Sequence, residues 1–104
     1  MKLYHATPKG TFIDILDNGI RTGRDGYIYL AESEKLAKAF MLLYGVKNFV
    51  VFEVDIPESD VEISNDHNEE YFIEVTKEKT AKCYMTDKDI PRKQIKLING
   101  YKYK

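Results

Sequence analysis

The apolar positions along the chain change period several times, and each change marks an element. Leu3 and Tyr4 open a short extended stretch over residues 2–6, which Pro8-Lys9-Gly10 breaks. Phe12, Ile15 and Leu16 then recur at helical spacing. That spacing predicts a helix over 12–17, capped by Thr11 with Asp14 at the third helical position and stopped by Asn18-Gly19. Residues 21–26 read as a polar loop, and Tyr27-Ile28-Tyr29-Leu30-Ala31 as a strand. Ser33 caps a second helix, whose Leu36, Ala37, Phe40, Met41 and Tyr44 share a face and which Gly45 ends. Phe40 is assigned to the core of that face.

Residues 48–56 are the strongest strand, with Val50, Phe52, Val54 and Ile56 on one side, and Pro57 closes it. Residues 58–70 are polar and acidic and predict a loop with short extended pieces. Two further strands are expected over 71–75 and 80–85, joined as a hairpin by Thr76-Lys77-Glu78-Lys79. Asp89-Ile90-Pro91-Arg92 reads as a turn, Gln94–Ile98 as the last strand, and Asn99-Gly100 as a tight turn. The tail from Tyr101 is a short return strand or a frayed end. Helices come early and strands late, which predicts an α+β domain rather than an alternating βαβ one. The length fits a single domain over residues 1–104.

Composition narrows the function classes. With 16 Lys+Arg against 17 Asp+Glu, the chain is not built to coat phosphates with basic residues. Local basic clusters exist at Arg21 and Arg24, and across Lys88, Arg92, Lys93 and Lys96, the second reading as a solvated strand edge. The lone Cys83 forms no internal disulfide, so a reducing, cytoplasmic setting is expected, and its alternating apolar surroundings predict core packing. No run reaches membrane length, so no membrane partner is expected. Glycine-rich phosphate loops and a serine nucleophile elbow are absent. His5, His67 and Cys83 have no metal-ligand spacing, and no metal site is expected.

What remains is an ordered set: Leu3-Tyr4-His5-Ala6-Thr7, a helix ending at Asn18-Gly19-Ile20, Arg24, then Gly26-Tyr27-Ile28-Tyr29-Leu30-Ala31-Glu32-Ser33 before a helix. It resembles the ADP-ribosyltransferase superfamily. The tRNA 2′-phosphotransferase group has a similar His-Gly-Thr strand. Poly-ADP-ribose polymerases and DNA-targeting ADP-ribosyltransferase toxins have a similar glycine and tyrosine strand feeding an alanine-rich helix. The resemblance covers residues 2–56 best and continues weakly to Ile95. It implies split antiparallel or mixed β-sheets with two helices in the N-terminal half, and a cleft for NAD as substrate.

By that resemblance, His5 bonds a ribose hydroxyl, Thr7 positions the adenosine side, Tyr29 stacks on nicotinamide with Tyr27 as its substitute, and Arg24 holds the pyrophosphate. Ser33, at the head of the following helix, joins the nucleotide-binding set. Many family members place a glutamate in the strand before the Ile90-Pro91 turn, where it stabilises positive charge developing on the ribose. Here that strand reads Ala81-Lys82-Cys83-Tyr84-Met85. Glu69 and Glu70, at the start of the stretch expected as a strand, are the nearest carboxylates for the role. Asp66 and His67 are adjacent, and in extended chain would point opposite ways. Three functions follow: a small mono-ADP-ribosyltransferase acting on a protein or nucleic acid, of the kind a toxin or phage counter-defence factor would be; a degenerate module of the same fold that binds NAD or ADP-ribose, or occludes a protein partner; or an interaction protein with tyrosine-rich contacts.

Overall fold

Val50, Phe52, Val54 and Ile56 do share a face, and it is buried with Leu3, Ile28 and Leu30 from neighbouring strands. The alternate residues Phe49 and Val51 are fully buried too, in a second cluster on the opposite face. A strand covered on both sides reads as a continuous apolar run. The computed structural model, which describes residues 1–104, is accordingly an α+β domain with one six-stranded antiparallel sheet covered on each face. The strands are β1 (Lys2–Pro8), β2 (Ile28–Ala31), β3 (Asn48–Asp55), β4 (Glu62–Ser64), β5 (Cys83–Thr86) and β6 (Ile95–Lys102), in the spatial order β4-β5-β2-β1-β3-β6.

Three helices complete it: α1 (Phe12–Asn18), α2 (Glu34–Leu43) and α3 (Glu69–Thr76). α1 covers the first cluster through Ile15, and α2 and α3 cover the second through Leu36, Ala37 and Phe72. α2 starts where expected: Ser33 Oγ accepts the Leu36 N–H at 3.1 Å. α1 lacks the expected capping box. The Thr11 hydroxyl turns back to donate to the Pro8 carbonyl at 2.9 Å, and Asp14 accepts from Asn18 Nδ2 at 2.8 Å. Gly19 ends α1 at φ +80° and lies so close to the next layer that a Cβ would meet the Ile90 carbonyl oxygen at 2.2 Å. That contact seats the isolated bridge between Ile20 and Ile90.

Two expectations are corrected. Residues 71–75 are helical in α3, so no hairpin joins them to β5. Their side chains favour strands, yet Asn68 caps the segment by accepting the Tyr71 N–H at 3.1 Å, and Glu69 and Glu70 complement the positive end of the helix. Phe72 and Thr76, one turn apart, then bury one stripe. Asn99-Gly100 is no turn either. β6 runs through it, pairing Asn99 with Val51 and Gly100 with Val50, and absorbs one extra residue as a bulge opposite Val51-Phe52.

The decisive topological feature lies between β1 and β2. β1 pairs with β3 from Lys2↔Asp55 to Pro8↔Phe49, but with β2 only at Tyr4↔Ala31. The strands form one hydrogen-bonded sheet, not two separate ones, but that sheet has a seam.

Candidate functional site

The splayed strands leave His5 and Tyr29 facing each other across the seam. The His5 ring takes over where the ladder stops: its Nδ1 lies 3.1 Å from the Tyr29 carbonyl oxygen. A carbonyl only accepts, so Nδ1 carries the proton and Nε2 is left as an acceptor. Burial holds the His5 pKa below its ordinary 6.5, only partly offset by the bond to Tyr29, so the ring is neutral near pH 7.

The Tyr29 phenol is fixed from the other side. It donates to Asp25 Oδ2 at 2.5 Å, while Asp25 Oδ1 accepts the Tyr27 N–H at 3.0 Å. Those bonds hold the Asp25 carboxyl below the usual carboxylate range and push the Tyr29 phenol up to about 12. The 21–26 loop is itself pinned, with the Thr22 N–H on Asp89 Oδ1 at 2.9 Å. The Tyr29 ring, 42% exposed, is therefore a flat surface held in place over the seam.

Two cavities flank this pair. One, of about 290 Å³, is an aromatic chamber walled by Tyr4, Phe40, Met41, Tyr44 and Cys83, with Ser64, Asp66 and His67 as its polar groups. The other, of about 360 Å³, is a more polar groove between β2, α1 and the 21–26 loop, reached by Thr7, Asp14, Arg21 and Tyr27. His5 and Tyr29 line both. Thr7 is buried at the groove wall. The Thr11 hydroxyl spends its proton on Pro8, so Thr7 must donate in their 2.6 Å contact, and the Thr7 oxygen keeps its accepting capacity.

Of the residues assigned to the nucleotide or to catalysis by resemblance, His5, Thr7, Tyr27 and Tyr29 converge here, and Arg24, Ser33, Glu69 and Glu70 do not. Arg24 is exposed on its loop and lines neither cavity; Arg21 reaches the groove instead. Ser33 is occupied as a helix cap and donates to Glu78. Glu69 and Glu70 open α3 instead of a strand, and neither lines a cavity. Glu69 accepts the Ala81 N–H at 3.2 Å, a tie between α3 and the approach to β5.

Other residues also line the chamber. Phe40, assigned to the core, is half-buried on the chamber wall, with its ring centroid 4.2 Å from that of Phe72. The helical period of α2 gave its direction, but only α3 shows that it borders a cavity. Asp66 and His67 both reach the chamber, because the chain between β4 and α3 is not extended strand. His67 Nε2 bonds the Ala81 carbonyl at 2.5 Å, and its Nδ1 is buried without a partner. An unpaired buried polar atom costs about 1–3 kcal/mol. Cys83 packs as expected, and burial with the nearby Glu32 and Glu69 charges pushes its thiol up to about 12, so no thiolate nucleophile is available. No helix is long and apolar enough to cross a membrane.

Comparison with protein-family models and with curated proteins finds no match for this chain.

Proposed function

We propose that this chain is a nucleotide-binding module of ADP-ribosyltransferase-like plan, whose cleft takes NAD or ADP-ribose. The observation that carries the reading is the pairing of His5 and Tyr29 across the β1/β2 seam, lining both cavities at once. A dinucleotide has two ends and a charged middle, and two chambers sharing a wall suit it. In this reading a flat base or nicotinamide ring enters the aromatic chamber and stacks on Tyr29 or Phe40. His5 Nε2 accepts from a ribose hydroxyl at the shared wall. Thr7 receives a second hydroxyl, and Arg21 meets the diphosphate in the groove. The binding reading is preferred over turnover because Glu69 and Glu70, the carboxylates expected to act, stand outside both cavities.

One observation favours a second reading, a mono-ADP-ribosyltransferase acting on a protein or nucleic acid. Asp66 is a carboxylate on the chamber wall beside His5 and Tyr29. Negative charge there would stabilise the positive charge that develops on ribose as nicotinamide leaves.

Titration calorimetry with NAD and ADP-ribose tests the first reading. Saturable binding by the parent is expected, weakened about tenfold or more in His5→Ala, which loses a hydrogen bond at the shared wall. Absence of heat with both ligands would refute it. Nicotinamide release and label transfer from NAD to lysate, lost in Asp66→Asn, would move the assignment to the transferase.

A further inference from the structure

The charge balance of the chain hides a segregation. Residues 92–104 carry five cations, Arg92, Lys93, Lys96, Lys102 and Lys104, and no carboxylate side chain; all 17 Asp+Glu lie before them. All five cations are exposed. The salt bridges of the fold, Lys2–Glu53 and Lys88–Asp60, use none of them. Glu53 stands opposite Lys96 in the ladder but is held by Lys2. Glu34, the carboxylate that reaches β6 from α2, takes hydrogens from Asn99 and the Tyr101 hydroxyl instead.

These cations flank an open edge. β6 ends the sheet and pairs with β3 alone. Past its bulge it runs in regular register from Asn99↔Val51 to Lys102↔Asn48, and the Tyr103 N–H carries the ladder on to the Lys47 carbonyl at 2.6 Å. Residues of an antiparallel strand alternate between bonding their neighbour and turning both main-chain groups the other way. Tyr103 bonds inward, so Tyr101 does as well, and Gly100 and Lys102 present N–H and C=O outward. No other main-chain group of the protein meets them. The Tyr101 and Tyr103 rings stack with planes 14° apart, and Tyr103 stacks on the buried Phe49, which fixes this part of the edge.

We propose that the outer edge of β6 is a docking strand for an acidic, extended segment of a partner protein, which joins the six-stranded sheet as one strand more. Main-chain bonds at Gly100 and Lys102 hold the segment, and the cations around them select its charge. A second copy of β6 would bring the same cations against themselves, which is how a lysine-rich edge resists self-pairing. A nucleic-acid strand suits the cations, but its phosphates only accept and leave the outward carbonyls without hydrogens. Neither cavity includes a residue of β6, so the inference is independent of the nucleotide-binding reading.

The experiment titrates the full chain at low salt with a fluorescein-labelled peptide of alternating glutamate and valine, as long as the eight residues of β6, followed by anisotropy. A second peptide of the same sequence is N-methylated at every main-chain nitrogen, which keeps its charge and removes its hydrogens. The expected result is saturable binding of the first peptide and binding about tenfold or more weaker for the second. Lys96→Glu with Lys102→Glu should weaken the first peptide by a similar factor, and amide exchange at Gly100 and Lys102 should slow when it binds to the parent. No binding, or equal binding of the two peptides, overturns the proposal. An oligothymidylate that binds more tightly than the peptide overturns it in favour of nucleic acid. A dimer of the parent in sedimentation equilibrium that slows the same two amides overturns it in favour of a second copy. The peptide comparison on the parent needs no variant to fold, and none of these outcomes bears on NAD binding.

Discussion

At the scale of single residues, the seam is governed by two rings whose polar ends are already committed. His5 gives its Nδ1 hydrogen to a main-chain carbonyl, and Tyr29 gives its hydroxyl hydrogen to Asp25. Each keeps its other face for the cleft. The depressed His5 pKa makes a signed prediction. Below 6.5 the unfolded chain takes up a proton that the folded one resists, so His5 contributes stability that is complete above 6.5 and is lost as pH falls through its lowered folded value. Urea midpoints measured at pH 7.5, 6.0 and 5.0 should fall on acidification in the parent and fall less in His5→Gln. Asp25→Asn removes the charged acceptor, and the Tyr29 phenol should return from about 12 toward its ordinary 10.0, followed by the ring resonances of labelled tyrosine. Of these residues His5 and Tyr29 were picked out by the resemblance of their two strands, and both stand on the cavity walls. Asp66, His67 and Arg21 were not legible as cleft residues, since their approach depends on how three loops run.

At the scale of elements, caps and close approaches decided where sequence periodicity was ambiguous. The Tyr71–Val75 stretch has the composition of a strand, but Asn68 and the acidic first turn make it a helix. Asn68→Ala should cost about 1 kcal/mol in urea unfolding, the usual value of a lost N-cap. Gly19 is a stricter constraint. Alanine there needs both a left-handed backbone and displacement of the Ile90 carbonyl, because its Cβ would lie 2.2 Å from that oxygen. The expected loss for Gly19→Ala is about 2–3 kcal/mol, and the same unfolding measurement checks it. β6 continues through Asn99-Gly100 for a different reason. A two-residue turn signal yields when the neighbouring strand, here β3, offers pairing partners on past it.

At the scale of the whole molecule, the two halves of the sheet meet at one registered pair, Tyr4↔Ala31. A ligand across that seam would tie the halves together and stabilise the fold by mass action. At a hundred times its Kd, NAD should add about 2.7 kcal/mol to the unfolding free energy. For a domain of this size that is a rise in Tm of roughly 10 °C or more. Thermal unfolding with and without NAD measures it, and His5→Ala should reduce the shift.

The sequence by itself determined the α+β class, the central strand over 48–56 and the two early helices. These depend on local period, caps and residue chemistry, which the chain carries wherever it goes. Tertiary structure alone decided that Glu69 and Glu70 open a helix away from the cleft, that Phe40 borders a chamber, and that Asp66 and His67 reach it. Those facts depend on α3 packing against α2 and on β1 and β2 parting after a single pair. Both are set by contacts between residues distant in the chain, which no local pattern encodes.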